Sequence, residues 1–355
     1  MGWLLVGTAL FRSGFYYRYV ASPDSTAGEA ERALQVIAQR YVPGARNVLV
    51  LGDSRTAEGF SSRVANQSVP GINFIEAGMA GTTPRVWSYL LRKIDPAGDR
   101  FDAVVLQRIV DVSTPDRECL ADRSLDLAYL PPLVTAADAL DIPRSFAQPP
   151  ARAQAWRMVL LPMRTARADI DALADSPHAR LRAVRANLRA YVPSRYAYTG
   201  HAESLAAVAL DPLTLHPKPA ADVPSSLIAY LDQLRESRVS QRAPEPCNLA
   251  YYRQWLGRIA AQYRPTHRPV LLVALPRGPF HLEHGPPART DLAAVGLSPG
   301  DGVTLLAPSA LGDLEQPRFF FDSLHMNRAG RDRYSVLVAQ SVADALAPRL
   351  QGAAR

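Results

Sequence analysis

The sequence is short of lysine, of cysteine and of long apolar runs. Only Lys93 and Lys218 are lysines, and the rest of its 40 basic residues are arginines spread through the chain. The net charge of +7 and the pI near 9.6 therefore come from dispersed arginine. No run of five basic residues occurs. The charge therefore does not mark a nucleic-acid-binding tract, and we predict no nucleic-acid partner.

Two cysteines, Cys119 and Cys247, are too few for a disulfide-rich scaffold and lack the spacing of a metal site. Two interpretations stay open for them: one disulfide that closes a long loop, or two unpaired buried thiols. A disulfide would indicate an oxidising compartment. His281 and His284 share a loop rich in proline and glycine, but no third ligand accompanies them. We therefore predict no metal and no cofactor.

No apolar run reaches the roughly 20 residues that span a bilayer. The N-terminal apolar run ends at Arg12, and no small-residue cleavage site follows a basic region. Four aromatic residues then fall between Phe15 and Tyr19, which is typical of a membrane interface. Two interpretations stay open for residues 1–44: the remnant of a signal anchor, or an N-terminal helix packed on the body.

Short apolar runs bounded by turn residues predict the strands of a buried parallel sheet. The segments predicted to be strands span 47–51, 71–76, 101–107, 269–275 and 301–306. Segments with helical spacing cover 29–41, 82–93, 251–263 and 327–346. Strands that alternate with helices indicate an α/β fold of three layers, in which helices cover both faces of a mostly parallel sheet.

The alternation stops between residues 113 and 246, where the chain is rich in proline, alanine and arginine. Its composition predicts helices over 152–161, 166–191 and 225–238, and no buried strand. The stretch is too long for a crossover, so we predict a large helical insertion or cap. The predicted domains are an N-terminal segment (1–44), an α/β core (45–112 and 247–355) and a helical insertion (113–246).

Two polar motifs lie where such a fold places chemistry. Ser54 directly follows the first core strand in Gly-Asp-Ser, and ligands of open α/β sheets bind beyond the carboxyl ends of the strands. Asp322 and His325 lie three residues apart before the last helix. This spacing lets the carboxylate hold one imidazole nitrogen while the other nitrogen faces a serine. Each motif alone also fits an ordinary helix cap.

Together, the two motifs resemble the SGNH (GDSL-type) hydrolase and acyltransferase superfamily. The resemblance covers about 45–112 and 247–347 and implies that family's flavodoxin-like α/β/α fold. It implies that Ser54 is the nucleophile, that His325 is the general base and that Asp322 orients the histidine. A serine needs such a base because its free hydroxyl is a poor nucleophile at neutral pH.

The resemblance also implies an oxyanion hole. The Ser54 N–H would be one donor, and a glycine after the second strand would supply another, with Gly81 preferred and Gly78 as the alternative. The family's third block, Gly-x-Asn-Asp, is not kept after the third strand. Gln107, through its amide, and Arg108, through its charge, are the candidates to replace the missing Asn.

Three arginines are candidate substrate contacts: Arg55 beside the nucleophile, Arg108 after the third strand, and Arg277 after the strand at 269–275. We therefore expect a serine esterase or O-acyltransferase that acts on an acylated cell-envelope glycan or glycolipid through an acyl-serine. The alternative, favoured by the missing Asn, is a non-catalytic SGNH-fold scaffold or binding subunit of an envelope polymer-modification machinery.

Loss of the third block also occurs in membrane-associated, polymer-modifying members of the superfamily, such as the alginate O-acetylation and teichoic-acid D-alanylation factors. Those proteins work with a membrane-bound O-acyltransferase. The resemblance therefore implies an acylated carbohydrate or ester as substrate, such a transferase as partner, and an extracytoplasmic location, either periplasmic or membrane-associated.

Overall fold

Five parallel strands form the centre of the described chain. The computed structural model describes residues 9–108, 119–211, 213–214, 216–219, 223–239, 246–276, 278–279, 291–306 and 309–352. Its strands are β1 (Arg46–Leu51), β2 (Ile72–Glu76), β3 (Ala103–Arg108), β4 (Val208–Leu210), β5 (Pro217–Pro219), β6 (Val270–Ala274) and β7 (Val303–Leu306). All but β4 and β5 belong to the parallel sheet.

The strand order in this sheet is β2-β1-β3-β6-β7, with every neighbouring pair parallel. The chain moves outward from β1 to β2 and then returns to the other side of β1. Loops that leave β1 and β3 therefore diverge, and such a switch point opens a crevice at the carboxyl ends of the strands. The predicted α/β fold with a parallel sheet is confirmed.

Helices flank the sheet and build the insertion. They are α1 (Phe15–Tyr19), α2 (Thr26–Arg40), α3 (Ser54–Gly59), α4 (Ser62–Ser68), α5 (Pro84–Ile94), α6 (Leu125–Tyr129), α7 (Asp141–Arg144), α8 (Pro149–Leu160), α9 (Pro162–Thr165), α10 (Arg167–Asp175), α11 (Pro177–Ala197), α12 (Ser225–Val239), α13 (Pro246–Tyr263) and α14 (Arg328–Gly352). Helix α14 packs on α3 and α4, and α5 packs on α13. The strands between these helices are almost entirely buried, as expected of a sheet covered on both faces.

The insertion is mostly helical but also contains a strand pair. Strands β4 and β5 pair antiparallel, and Val208 is buried, whereas the sequence predicted no strand there. The prediction was wrong because two prolines in three residues of β5 leave no alternating pattern. The helix expected over 166–191 is two helices, α10 and α11, because Pro177 starts a new helix at its first turn.

The aromatic residues of the N-terminal segment divide between a core and the surface. Tyr16 and Tyr17 are buried with Phe11 in a small cluster that packs against Ala166 and Ile170 of the insertion. Phe15 and Tyr19 are exposed. The N-terminal segment therefore packs on the rest of the protein through Phe11, Tyr16 and Tyr17. Within the residues described, no helix has the length and apolar character needed to cross a bilayer.

Cys119 and Cys247 form a disulfide at the base of the insertion. Their Cα atoms are 5.9 Å apart, a separation that is usual for this bond, and 128 residues separate them in the chain. A second link lies beside it, because the Leu120 N–H donates to Asn248 Oδ1 at 2.8 Å. The covalent bond therefore ties the start of the insertion to the strand-bearing core.

Replacing both cysteines with serine is expected to lower the free energy of unfolding by about 2–4 kcal/mol. The disulfide restricts the conformations of the unfolded chain. Without it the unfolded state has a higher conformational entropy and is therefore more stable relative to the folded state. Urea unfolding of the wild type with and without reductant, beside the double variant, measures the effect. Equal midpoints in all three samples, or two free thiols in mass mapping of the oxidised protein, would contradict the prediction.

Candidate active site

Ser54 is presented by a tight turn between β1 and α3. The Asp53 side chain caps the helix by accepting from the Arg55 N–H at 2.9 Å. A Cβ added at Gly52 would lie 1.8 Å from Thr56 Oγ1, so only glycine fits where the strand turns into the helix. The serine is consequently held as the first residue of α3, at the carboxyl edge of the sheet.

The loop before α14 is organised by Asp322. Its Oδ1 accepts from the Leu324 and His325 N–H groups, both at 2.7 Å, which is an Asx turn. The Phe321 N–H closes the loop by donating to the His325 carbonyl at 3.1 Å. Oδ2 remains directed at the imidazole, 2.8 Å from His325 Nδ1. One carboxylate thus shapes the loop and orients the ring at the same time.

The structure brings the three predicted catalytic side chains together. His325 Nε2 lies 2.9 Å from Ser54 Oγ, although 271 residues separate the two in the chain. The side chains of His325 and Asp322 are 19% and 23% exposed, so the base is shielded but still open to a bound ester. Asp322, His325 and Ser54 form a continuous hydrogen-bond chain that can move a proton from the hydroxyl to the ring.

The charge state of Asp322 suits this chain. Burial raises the pKa of its carboxyl, but the hydrogen bond and attraction of His325, with the two backbone N–H donors, outweigh burial. Its pKa therefore lies below the usual value for an aspartate. The group stays ionised near neutral pH and can stabilise an imidazolium that forms beside it.

Two backbone donors remain for an oxyanion. Within the described residues, neither the Ser54 N–H nor the Gly81 N–H has a hydrogen-bond acceptor. Gly81 has φ +65°, a left-handed conformation that favours glycine. The N–H of Gly78 instead donates to Glu76 Oε1 at 2.6 Å, so the alternative prediction of Gly78 as an oxyanion donor is wrong.

Gln107 does not replace the missing Asn in this conformation. Its side chain is fully buried, and neither amide atom has a hydrogen-bond partner in the described structure. A fully buried amide cannot reach an ester that binds from solvent, so Gln107 is corrected from oxyanion donor to a buried residue of β3. The Arg55 guanidinium donates to the Asp53 carboxylate. Arg277 and the side chain of Arg108 lie outside the described residues.

A polar cluster around the end of α3 escaped the sequence analysis. Arg195, from α11, and Arg331, from α14, both donate to the Ala57 carbonyl, at 3.0 and 2.8 Å. Arg195 also pairs with both carboxylate oxygens of Glu76. Glu76 gave a signal, because it is a charged residue at the end of a short buried strand. Nothing distinguished the two arginines in so arginine-rich a chain.

Burial and pairing fix the charges of this cluster. Burial lowers the pKa of the Arg195 guanidinium, but Glu76 and the other anionic neighbours raise it above its usual value, so it stays charged. Burial lowers the pKa of Arg331 to about 10. Burial, followed by a hydrogen bond to Glu58, raises the pKa of Tyr198 to about 12, so this phenol stays neutral.

His201 lies beside the catalytic loop, although the sequence analysis gave it no role. Its ring stacks on Phe321 with centroids 3.9 Å apart, and Phe321 stacks in turn towards His325 at 5.8 Å. In the part of the chain that the structure describes, no group of three or more His, Cys, Asp or Glu could hold a metal ion. His281 and His284 lie outside that part.

A scan against protein-family models and a search of curated proteins found no match to this chain. Its function is therefore inferred from the position of Ser54, Asp322 and His325 in the fold, from their hydrogen bonds and from the motifs that carry them.

Proposed function

We propose that the protein is a serine-dependent acyl-transfer enzyme, an esterase or O-acyltransferase that resembles the SGNH superfamily. The observation that carries the proposal is the unbroken chain from Ser54 Oγ through the His325 ring to Asp322, with contacts of 2.9 and 2.8 Å. This hydrogen-bond chain lies at the switch point of the sheet, where open α/β folds bind ligands.

The proposed reaction starts when Ser54 Oγ attacks the acyl carbonyl and its proton passes to His325 Nε2. Asp322 stabilises the resulting imidazolium through Nδ1. The proposed donors for the negative oxygen that develops on the carbonyl are the Ser54 and Gly81 N–H groups, which have no other acceptor among the described residues. His325 then returns the proton to the leaving alcohol, and an acyl-serine remains. Water or a sugar hydroxyl releases the acyl group by the same steps in reverse.

The proposed substrate is an acylated cell-envelope glycan or glycolipid, and the proposed partner is a membrane-bound O-acyltransferase. Support for a location outside the cytoplasm comes from the Cys119–Cys247 disulfide, because such bonds persist in oxidising compartments. Mass mapping of protein taken from its native compartment tests this location. Two reduced cysteines there would contradict it.

A second candidate function is a non-catalytic scaffold or binding subunit with the same fold. The observation that favours it is the burial of Gln107, which leaves no described side-chain donor at the place of the family's third block. The intact hydrogen-bond chain to Ser54 counts against it, because a scaffold has no need of an oriented base.

Labelling with a fluorophosphonate separates the two functions. We expect one covalent adduct per protein, located on Ser54 by peptide mass spectrometry, because only a base-activated serine attacks the reagent at a useful rate. Ser323 is an internal control, since it lies in the same motif as His325 but is fully buried. A folded protein without an adduct on Ser54 would support the scaffold and contradict the enzyme.

Hydrolysis and transfer are distinguished by the fate of the acyl group. The protein is supplied with an aryl acetate, with and without an excess of soluble oligosaccharide. Acetate release that is unchanged by the sugar indicates an esterase. Acetylated sugar formed at the expense of acetate indicates a transferase.

A further inference from the structure

One stretch of the insertion contacts both elements that carry the Ser54–His325 pair. Residues 195–205, here called the bridging segment, leave α11 and cross from the nucleophile helix to the histidine loop. Its contacts are hydrogen bonds, an ion pair and a ring stack. Neither the motifs nor the proposed chemistry assigns a role to this segment.

On the nucleophile side, the segment holds the end of α3. Arg195 Nη2 donates to the Ala57 carbonyl at 3.0 Å, and the Tyr198 hydroxyl donates to Glu58 Oε2. Arg331 adds bonds to the Ala57 and Glu58 carbonyls at 2.8 and 2.7 Å. Cations at the carbonyl end of a helix are favourable, and α3 has only six residues to fix its direction. These bonds therefore fix the far end of the helix whose first residue is Ser54.

The same arginine holds the loop that leads to Gly81. Arg195 Nε and Nη2 bond the two Glu76 oxygens at 3.0 and 3.1 Å, and Glu76 Oε1 receives the Gly78 N–H. The Glu76 side chain is 4% exposed and that of Arg195 is 17% exposed, so solvent screens the pair poorly. Arg195 thus links the end of α3 to the turn that carries the second oxyanion donor.

On the histidine side, the segment continues along the loop that holds Asp322. The Arg328 N–H donates to the His201 carbonyl at 2.8 Å, and the Leu205 N–H donates to the Phe320 carbonyl at 2.9 Å. The His201 ring covers Phe321, which stacks towards His325. These contacts restrain the loop in addition to its own Asx turn.

We propose that the bridging segment is the positioning element of the active site, with Arg195 as its central positioning residue. The inference rests on the proposed function, because it concerns the reactivity of Ser54. A hydrogen bond between groups 271 residues apart in the chain survives only if both carriers keep their places. A displacement of about 1 Å is enough to cost roughly a hundredfold in rate. The insertion is on this view part of the catalytic framework.

The test compares Arg195→Gln with Arg189→Gln, an exposed arginine on the same helix. Glutamine cannot span both Glu76 and the Ala57 carbonyl. We expect kcat for an aryl acetate and the fluorophosphonate labelling rate to fall about 10- to 100-fold in Arg195→Gln, with KM changed less than about 3-fold. Arg189→Gln should match the wild type in both rates.

Lost stability is separated from lost positioning by the double variant Arg195→Gln/Glu76→Gln. It removes the buried carboxylate that the single variant leaves unpaired, so its Tm is expected to recover most of the loss. Its kcat should stay low, because the link to Ala57 is still absent. His201→Ala tests the other end, and we expect reduced kcat at a Tm close to wild type, since this side chain is half-exposed.

Wild-type rates in Arg195→Gln, or rates that recover together with Tm in the double variant, would overturn the inference and leave the proposed function intact. A wild-type protein that shows neither labelling nor turnover would refute the proposed function itself, and the inference with it.

Discussion

Replacing Ser54 with alanine is expected to reduce acyl transfer by roughly 10⁴- to 10⁶-fold, and replacing His325 with alanine by a similar factor. The two residues act as one unit, since the hydroxyl is reactive only while its proton can pass to Nε2 across the 2.9 Å contact. The double variant should therefore be no slower than either single variant. If the two residues contributed independently, the double variant would lose activity by the product of the two single-variant factors. This difference is large enough to see in initial rates of ester hydrolysis.

The controls for these variants come from the same chain. Ser176 and His178 are exposed on the insertion, and Ser176→Ala and His178→Ala should keep full activity. Far-UV circular dichroism and Tm must match among all variants, because Ser54 and His325 are only partly buried and their loss opens no large cavity. An active Ser54→Ala protein would exclude the acyl-serine intermediate.

The core strands were predictable because the apolar pattern that identifies each strand lies within the strand's own few residues. Runs such as 48–51 and 269–275 are apolar throughout, which is the pattern of strands buried on both faces. Their predicted bounds differ from the observed ones by a residue or two. The two candidate catalytic motifs were predictable for a related reason: each is a short polar block at a strand end or a helix start, where fold geometry places functional groups.

The features that the sequence could not predict depend on contacts between residues that lie far apart in the chain. Nothing in the sequence distinguishes Gly78 from Gly81 as an oxyanion donor. Only the structure shows that the Gly78 N–H already donates a hydrogen bond to Glu76. Glu76 is held by Arg195, 119 residues further along the chain. The burial of Gln107 likewise follows from packing of β3 between helices, and its own side chain gives no local sign of it.

Asp322→Asn is expected to lower kcat by about 10³- to 10⁴-fold while the fold persists. The reason lies in the Asx turn. The Leu324 and His325 N–H groups both donate to Oδ1 at 2.7 Å, so the amide oxygen of an asparagine must occupy that place. Its NH₂ group then faces His325 Nδ1, which has to accept. The ring proton is forced onto Nε2, where it points at Ser54, and the base can no longer take the serine proton.

The pH dependence of the unfolding free energy is a second quantity that should distinguish Asp322→Asn from the wild type. The pKa of Asp322 lies below its usual value, because the bonds from His325 and from the backbone together outweigh burial. Its contribution to stability is therefore present above the pKa of an unfolded aspartate and is lost as pH falls through the lower folded pKa. Asparagine does not titrate, so the difference in unfolding free energy between wild type and Asp322→Asn should shrink from pH 7 to about pH 3.

Urea unfolding across this pH range, with initial rates at pH 7, checks both quantities in the same samples. Asp344→Asn on the exposed face of α14 is the matched control, and it should change neither quantity. A large rate loss with the Asx turn intact assigns the effect to the histidine tautomer, because the backbone that holds the ring is unchanged. Activity within about tenfold of wild type would mean that Asp322 shapes the loop without orienting the base.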